Sequence, residues 1–286
     1  MLVLLKRMED LYKHISFRTS KLVTHLYSTS FSRAVSFLDR ETRDAIYSVY
    51  GFVRVADEIV DTFHEFDKNS LLSEFERDFY EAMKQGISLN PVLNAFQITV
   101  KKYNIDDHLI QAFLRSMKID LVKNEHSSKA ETDEYIYGSA EVVGLMCLKI
   151  FVCGDEAMYR ELEDPARKLG AAFQKVNFLR DLKNDMEMLN RRYFHQFTGR
   201  QFDEIIKKEI VADIENDFLY SFKGLKRLPG NARLGVYIAF IYYKRLLAII
   251  KSTPADRLLV KRVRVPDVLK FFLLIKAYIL NKLDLI

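Results

Sequence analysis

The sequence predicts an all-α fold in which a single domain, residues 1–286, forms a helical bundle around a central cavity. Apolar residues recur with helical periodicity along nearly the whole chain, whereas alternating, strand-like runs are scarce. Only ten glycines and five prolines are present, which indicates long helices with short breaks. Hydrophobic residues make up 49% of the chain, and no repeat or low-complexity linker divides it, so one core is the economical interpretation.

Ten helices are predicted in chain order, with boundaries placed to within a few residues. Asp164-Pro165 resembles an N-cap followed by a first-turn proline, so a helix should restart there and run through residue 189. The predicted helices are 20–37, 42–63, 70–85, 91–103, 106–123, 131–152, 156–189, 201–222, 229–252 and 265–283.

The charged residues argue against a nucleic-acid partner. The chain carries 44 basic and 39 acidic residues, so its formal charge of +5 is spread over many charges of both signs. A nucleic-acid-binding protein would show one concentrated basic face with a recognisable motif, and neither is present. The densest basic stretch, 261–264, precedes an apolar run at 271–275. We interpret it as the solvated start of a helix, with contact to a membrane surface as the alternative.

Cysteine usage and hydropathy bear on the compartment. Cys147 and Cys153 are the only cysteines, and two thiols in a chain this long make no disulfide framework, which favours a reducing cytoplasm. The N-terminal apolar stretch is too short for a signal peptide, and no run approaches the roughly 18 apolar residues of a spanning helix. The prediction is a cytoplasmic protein, with peripheral contact at the inner face of the membrane as an alternative. The oligomeric state stays open.

A first row of polar side chains lies on the helix predicted around residues 45–63. At about 100° per residue, four residues fall on one narrow stripe of an otherwise apolar helix, namely Tyr50, Arg54, Asp57 and Asp61. Burying unpaired charge is costly, so these acids require a cation or a water-filled cavity. For this stripe alone, a solvated acidic edge is the competing interpretation.

A second row on residues 169–189 repeats the pattern. Its members are Gln174, Asn177, Asp181 and Asp185. The offsets from Tyr50 to Asp57 and Asp61 are seven and eleven residues, and those from Gln174 to the two later aspartates are the same. Apolar residues lie directly beside this row. Two such helices facing each other would form a cavity ringed by carboxylates.

The chemistry that suits such a cavity is diphosphate binding through Mg²⁺, with Mn²⁺ as a second candidate. Mg²⁺ prefers oxygen ligands and usually binds through one or two carboxylates plus substrate phosphates and water. A transition metal would more often recruit His or Cys, and neither row contains either. Arg54, Arg180 and Arg191 are candidates to hold phosphate oxygens. No Walker loop or kinase signature is present, so phosphoryl transfer from ATP is not supported.

Four segments of the chain, in order, resemble the squalene and phytoene synthase family, whose members join isoprenyl diphosphates head to head. Any one of them is a weak signal, but together and at family spacing they are specific, and the resemblance covers most of the chain. The segments are STSF at 28–31, DEIVD at 57–61 after Tyr50 and Arg54, YIYGSAEVVG at 135–144, and QKVNFLRDLKND at 174–185 followed by RRYF at 191–194.

The resemblance implies an isoprenoid synthase-type bundle and a role for each matching residue. Metal ions would be held by Asp57, Asp61, Asn177, Asp181 and Asp185. Of these, the four aspartates, together with Tyr135, would be the catalytic residues, and Tyr135 would assist proton movement or hold released diphosphate. The substrate-binding residues would be Ser30, Phe31, Tyr50, Arg54, Gln174, Arg180, Arg191 and Tyr193. Prenyl diphosphates would be the substrates, and enzymes of the same pathway are candidate partners.

The reaction implied by the resemblance proceeds in two ionisations through a cyclopropyl diphosphate. Two geranylgeranyl diphosphates would give phytoene, as in carotenoid biosynthesis; dehydrosqualene or squalene from farnesyl diphosphate is the alternative. We place the floor of the chamber at Val35 and Tyr47, where the small Val35 leaves room for a twenty-carbon chain. The NADPH that squalene formation requires is not expected, and no G-x-G-x-x-G motif is present, although reductase activity in this family is not tied to that motif.

Two other classes of protein remain as alternatives. A cyclising or chain-elongating isoprenoid enzyme would share aspartate-rich helices, and a non-catalytic assembly protein could share the fold without needing five metal-type side chains in register.

Gly138 and Gly144 interrupt a helical segment, so they either make room for prenyl chains or permit close packing of helices.

Overall fold

The computed structural model describes residues 2–286, and side chains from residue 10 onward, as an almost entirely helical protein. No β-strand occurs within this range, and the expected all-α class is confirmed. The helices are α1 Leu2–Tyr27, α2 Thr29–Val35, α3 Arg40–Asp61, α4 Lys68–Gln85, α5 Pro91–Tyr103, α6 Asp107–Val122, α7 Lys129–Ile136, α8 Val142–Val152, α9 Glu156–Glu187, α10 Glu204–Leu225, α11 Gly230–Ser252, α12 Ala255–Val260 and α13 Asp267–Lys282.

Local capping explains why most predicted boundaries agree with the structure to within a few residues. The Asp39 carboxylate accepts hydrogen bonds from the amides of Glu41 and Thr42 at the start of α3. Asn90 caps α5 in the same way ahead of a first-turn proline, and Gly86 ends α4 in the left-handed conformation. These signals lie in the sequence beside the helices they delimit.

The helix prediction was wrong in three places. The helix predicted at 20–37 is two helices, since α1 already begins at residue 2 and the chain breaks at Ser28, whose side chain caps α2 by accepting from the Phe31 amide. The short helix α12 was missed. The stretch 261–264 is not the start of a helix: it lies in an extended loop, 261–266, between α12 and α13.

The predicted restart at Asp164-Pro165 was also wrong, since α9 runs unbroken from Glu156 to Glu187 with Pro165 inside it. Proline costs a backbone hydrogen bond at this position. Its ring packs on α10 at Gly224, where even one added carbon would overlap it. The packing of two helices, which no local pattern reveals, thus accommodates the proline.

Two groups of buried apolar residues form the core on either side of a central chamber. One group joins α3 to α4, α5, α6 and α8, and the other joins α9 to α10, α11 and α13. α1 packs closely on α3 through small side chains, with Ser20 against Gly51. The helices that carry the two acidic rows, α3 and α9, thus belong to different halves of the core.

Helices α7 and α8 continue into each other through a π-helical turn, Tyr137–Glu141. The combined stretch Lys129–Val152 is long and apolar enough to cross a membrane. Of its most apolar 18 residues, 61% are buried inside the protein. Burial on this scale is typical of a core helix. The expectation that no segment reaches this length and hydropathy was therefore wrong.

Candidate functional site

A chamber of about 840 Å³ lies between α3 and α9, with further walls from α2, α8, α11 and the loop 262–265. Along α3 its lining changes from Ile46 and Val49 to Asp57 and Asp61. Along α9 it changes in the same direction, from apolar residues around 162–169 to Asp181 and then Asp185. Each helix therefore contributes apolar surface near its beginning and carboxylates near its end.

The two acidic rows face the same space, as their electrostatics show. Burial raises the pKa of Asp57 to about 7, with the nearby charge of Asp61 as the next cause. Burial raises the pKa of Asp185 to about 8, and the charges of Asp181 and then Asp61 add to the effect. Because Asp61 on α3 acts on Asp185 on α9, the rows are close enough to repel each other. Cations between them would relieve that repulsion.

The donor atoms of the rows fit a hard divalent cation. Asp57, Asp61, Asn177, Asp181 and Asp185 all line the chamber and offer only oxygen ligands, apart from the amide nitrogen of Asn177. Among the residues described, no three His, Cys, Asp or Glu side chains come together as a ready metal cage. Mg²⁺ commonly completes its shell with substrate phosphates and water.

All three predicted arginines lie at the acidic end, each with a carboxylate partner. Arg54 pairs with Glu58 and lies 4.3 Å from the centre of the Tyr27 ring. Arg180 donates from Nε to Asp181 Oδ1 and Oδ2, at 3.1 Å each. Arg54 and Arg180 line the chamber.

Arg191 does not line the chamber, in contrast to the expectation that it reaches substrate phosphate there. Its Nη1 donates to Asp61 Oδ1 at 2.7 Å, and its side chain is only 7% exposed. It also donates to the Asp120 carbonyl oxygen at 3.1 Å and lies 3.8 Å from that residue's carboxylate. The guanidinium is already enclosed by protein acceptors. It therefore holds Asp61 of the first acidic row in place from the side away from the chamber.

Asp120 on α6 is a site residue that the sequence analysis missed. Its carboxylate accepts a 2.5 Å hydrogen bond from the Tyr135 hydroxyl, and its other oxygen, Oδ1, is buried with no partner among the described residues. Burial raises its pKa to about 7, although Arg191 acts in the opposite direction. A signal was present: with Phe113 and Met117 it shares one apolar stripe of α6, on which it is the single acid.

Tyr135 and Tyr193 belong to a stack of aromatic rings beside the acids. The Tyr193 ring lies 4.2 Å from that of Phe178 and 5.0 Å from that of Tyr135, both nearly parallel. Tyr135 lies two residues before the π-helical turn, a distortion that often occurs at functional sites. The pKa of Tyr135 is raised well above its usual value, by burial and then by the charge of Asp120. Its hydroxyl is therefore kept protonated.

The other predicted substrate-binding residues also line the chamber. Ser30 and Phe31 lie on α2, and the Phe31 ring stacks on that of Tyr50 with centroids 5.0 Å apart. Gln174 donates weakly to the Ser139 hydroxyl at 3.4 Å. Burial raises the pKa of Tyr50 to about 12.

Tyr243 and Arg262 are among the other lining residues that were not predicted from the sequence. The Tyr243 hydroxyl on α11 donates to Asn177 Oδ1 at 3.1 Å and fixes the orientation of that amide. Arg262 reaches across from the extended loop, with its Nε 2.5 Å from Asp181 Oδ1. Arg262 lies in the basic stretch noted in the sequence, but only the tertiary fold places that loop beside α9.

One of the two residues predicted at the chamber floor lines the chamber, and the other does not. Val35 lines the chamber and is 3% exposed. Tyr47 does not line it, because that side of α3 packs on α1, where the Tyr47 hydroxyl lies 3.3 Å from His25 Nε2. Its neighbour Ile46, rotated by about 100° along the helix, faces the chamber instead.

The two glycines of the segment 135–144 permit close helix packing. A carbon added at Gly138 would lie 2.8 Å from the Ala112 carbonyl oxygen on α6. One added at Gly144 would lie 3.1 Å from the Ala166 carbonyl oxygen on α9. Gly144 also lines the chamber, so room for a prenyl chain stays a prediction at this position.

Comparisons with known proteins identify proteins that this chain resembles in sequence and in fold. A family model described as squalene/phytoene synthase matches residues 24–268. Phytoene synthase 3, chloroplastic, of Zea mays is 25% identical over 88% of this chain, which spans only 63% of the maize protein. The 15-cis-phytoene synthase of Pantoea ananas is 25% identical over 77% of each chain. A crystal structure of a dehydrosqualene synthase shares the fold, with a TM-score of 0.81 and 22% identity over 94% of this chain and 98% of that one.

Proposed function

Because the chain belongs to the squalene/phytoene synthase family, we propose that it is a prenyltransferase that joins two prenyl diphosphates head to head and releases diphosphate. The observation that carries the proposal is the chamber, whose lining changes along both α3 and α9 from apolar residues to carboxylates. An apolar interior suits the prenyl chains, and an acidic end suits metal-bound diphosphate.

We assign the metal-binding role to Asp57, Asp61, Asn177, Asp181 and Asp185. Bound Mg²⁺ would neutralise the diphosphate and make it a better leaving group. Tyr243 orients the Asn177 amide, and Arg191 holds Asp61 in place. Arg54, Arg180 and Arg262, which line the chamber beside these residues, would bind phosphate oxygens.

The chamber wall would protect cationic intermediates from water. Aromatic faces near the acidic end, those of Tyr50, Phe31, Phe178 and Tyr193, can stabilise positive charge. Tyr135 is the candidate for proton movement or for holding released diphosphate. Because Asp120 accepts the hydrogen bond from its hydroxyl, the orientation of that hydroxyl is set by protein before substrate binds.

For the specific product we propose phytoene from two geranylgeranyl diphosphates, through a cyclopropyl diphosphate intermediate. The names of the maize and Pantoea relatives support this choice. Val35 at the chamber wall is small enough to leave space for the longer chain. Dehydrosqualene or squalene from farnesyl diphosphate is the second candidate, favoured by the likeness to the dehydrosqualene synthase fold.

Incubation of the purified protein with Mg²⁺ and either farnesyl or geranylgeranyl diphosphate, with and without NADPH, tests the proposal. We expect a forty-carbon hydrocarbon from geranylgeranyl diphosphate, formed without NADPH and abolished by chelation of the metal. The absence of any coupled product from either substrate would contradict the enzymatic role. A cyclic or elongated product would indicate a different isoprenoid enzyme.

Val35→Phe tests the chain-length assignment. The added ring should occupy part of the chamber, so the rate with geranylgeranyl diphosphate should fall at least about tenfold relative to that with farnesyl diphosphate. Tyr47→Phe is the matched control, because Tyr47 packs on α1 outside the chamber and its replacement should leave this ratio unchanged. An unchanged ratio for Val35→Phe would show that the floor lies elsewhere.

A further inference from the structure

The outward face of α13 is apolar although it is open to solvent. Val268, Phe271, Phe272, Ile275 and Ile279 share an arc of about 100° on this helix. Phe271 and Phe272 are 58% and 61% exposed, and Val268 is 70% exposed. Tyr278 and Leu283 extend the same surface.

The opposite face of α13 is apolar as well. Ala277 is fully buried there, and Leu273 and Leu280 pack against the core group that includes α11. A helix that is apolar around most of its circumference normally lies inside a protein or in contact with lipid. Among the residues that the structure describes, only one side of α13 is covered, so the exposed side has the character of a contact surface.

Positive charge surrounds this surface. The segment 261–286 carries six basic side chains and two acidic ones. Lys276 flanks the apolar arc, Lys282 lies within it near the end of the helix, and both are exposed, as are Lys261 and Arg264 in the preceding loop. A second copy docked face to face on α13 would bring these like charges together, whereas anionic lipid headgroups would neutralise them.

We propose that the outward face of α13 docks on an anionic lipid bilayer. Phe271, Phe272 and Ile275 would enter the boundary between headgroups and acyl chains, while the lysines would contact lipid phosphates. This is the arrangement of an amphipathic helix lying in the plane of a membrane rather than of a spanning segment.

Docking would also bring the chamber close to the lipid. The loop 262–265 lines the chamber and leads directly into α13. If the proposed function is correct, the hydrocarbon product is insoluble in water, and the bilayer would receive it. This delivery of product rests on the proposed function, whereas the docking itself does not.

Co-sedimentation of the full chain with lipid vesicles tests the docking. We expect binding to vesicles of phosphatidylcholine with about one third phosphatidylglycerol, and much weaker binding to phosphatidylcholine alone. Phe271→Ser with Phe272→Ser should lower partition at least about tenfold, because two exposed rings no longer enter the lipid. Leu11→Ser with Ile15→Ser is the matched control: these side chains are also exposed and apolar but lie on α1, and their replacement should leave partition unchanged.

A charge variant tests the docking independently in case the serine variant fails to fold. Lys276→Glu with Lys282→Glu leaves the apolar face intact and should also weaken binding to the anionic vesicles at least about tenfold. Circular dichroism melts would establish that each variant folds. Equal binding of the wild type and both α13 variants, or an equal loss in the α1 control, would overturn the proposal.

Sedimentation without lipid separates the remaining outcomes. A dimer that dissociates on Phe271→Ser with Phe272→Ser, in a protein that ignores vesicles, would show that a second copy covers the face and would overturn the proposal. Vesicle binding by a protein that forms no hydrocarbon would remove the proposed function and leave the docking standing. Hydrocarbon formation in detergent by a protein that binds no vesicle would do the reverse.

Discussion

The acidic rows of α3 and α9 have the same spacing but different surroundings. On α3, Asp61 pairs with Arg191, which is enclosed by protein. On α9, Asp181 pairs with Arg180 and Arg262, and the Arg262 side chain is 48% exposed. In each row the other carboxylate, Asp57 or Asp185, has no ion pair among the described residues, and its pKa is raised. The comparison teaches that in each row the protein pairs one carboxylate with arginine and leaves the other without an ion pair among the described residues.

The largest expected effect follows from removing an unpaired carboxylate. Asp57→Asn and Asp185→Asn should each lower kcat/KM for prenyl diphosphate by about 10²–10³-fold, because several kcal/mol of metal-mediated stabilisation of the leaving group is lost. Product formation at saturating Mg²⁺ is the measurement. Asp78→Asn on the surface of α4 is the control and should keep full activity. Full activity in either site variant would remove that carboxylate from the metal site.

Arg191→Gln is expected to have the largest effect on stability. Its side chain is 7% exposed and lies against Asp61 and Asp120, so its loss leaves buried negative charge without a partner. Breaking a buried pair in this way typically costs about 3–5 kcal/mol. Urea unfolding measures the change in the free energy of unfolding. A decrease in the free energy of unfolding of less than about 1 kcal/mol would show that Arg191 is not needed to stabilise the buried carboxylates.

The unpaired carboxylates also predict how pH and Mg²⁺ act together. The folded-state pKa of Asp57 is about 7 and that of Asp185 about 8, both above the unfolded values, so the folded protein holds more protons than the unfolded chain between about pH 4 and 8. Without metal, these groups lower the free energy of unfolding as pH rises through this window. Mg²⁺ should therefore raise Tm by several degrees at pH 8 and by much less at pH 5.

Thermal melts at both pH values, with and without Mg²⁺, measure this difference. In Asp57→Asn with Asp185→Asn, the dependence of the Mg²⁺ effect on pH should largely disappear. An Mg²⁺ effect of equal size at both pH values in the wild type would contradict the assignment of the two carboxylates as the groups that the cation neutralises.

What the sequence could predict depends on how local each cause is. The two rows were found because spacings of seven and eleven residues place side chains on one face of any helix. The helix starts predicted at 42 and 91 lie within two residues of those observed, because the caps that set them, Asp39 and Asn90, act within three residues of the chain. The break at Ser28 was missed because the helical periodicity continues across it without glycine or proline.

The missed site residues share a different cause. Asp120, Tyr243 and Arg262 reach the chamber from α6, α11 and a loop, and contacts between segments so distant in sequence are invisible to periodicity. Tyr47 and Ile46 are adjacent on an α3 that is apolar on most sides, so the pattern cannot tell which of them faces the chamber. Only the packing of α1 on α3 decides between them.

The smallest effect is expected at the exposed end of the second row. Arg262→Gln should change the free energy of unfolding by no more than about 1 kcal/mol, because half-exposed ion pairs contribute little and Asp181 keeps Arg180 as a partner. Its effect should instead appear as a severalfold rise in KM for prenyl diphosphate, since a guanidinium at the chamber wall would hold phosphate oxygens. Lys261→Gln is the matched control, because it removes a charge from the same loop outside the chamber lining. If both variants raised KM equally, Arg262 would act through general charge alone. If Arg262→Gln destabilised the fold as strongly as Arg191→Gln, the expected difference between the enclosed Arg191 and the half-exposed Arg262 would be refuted.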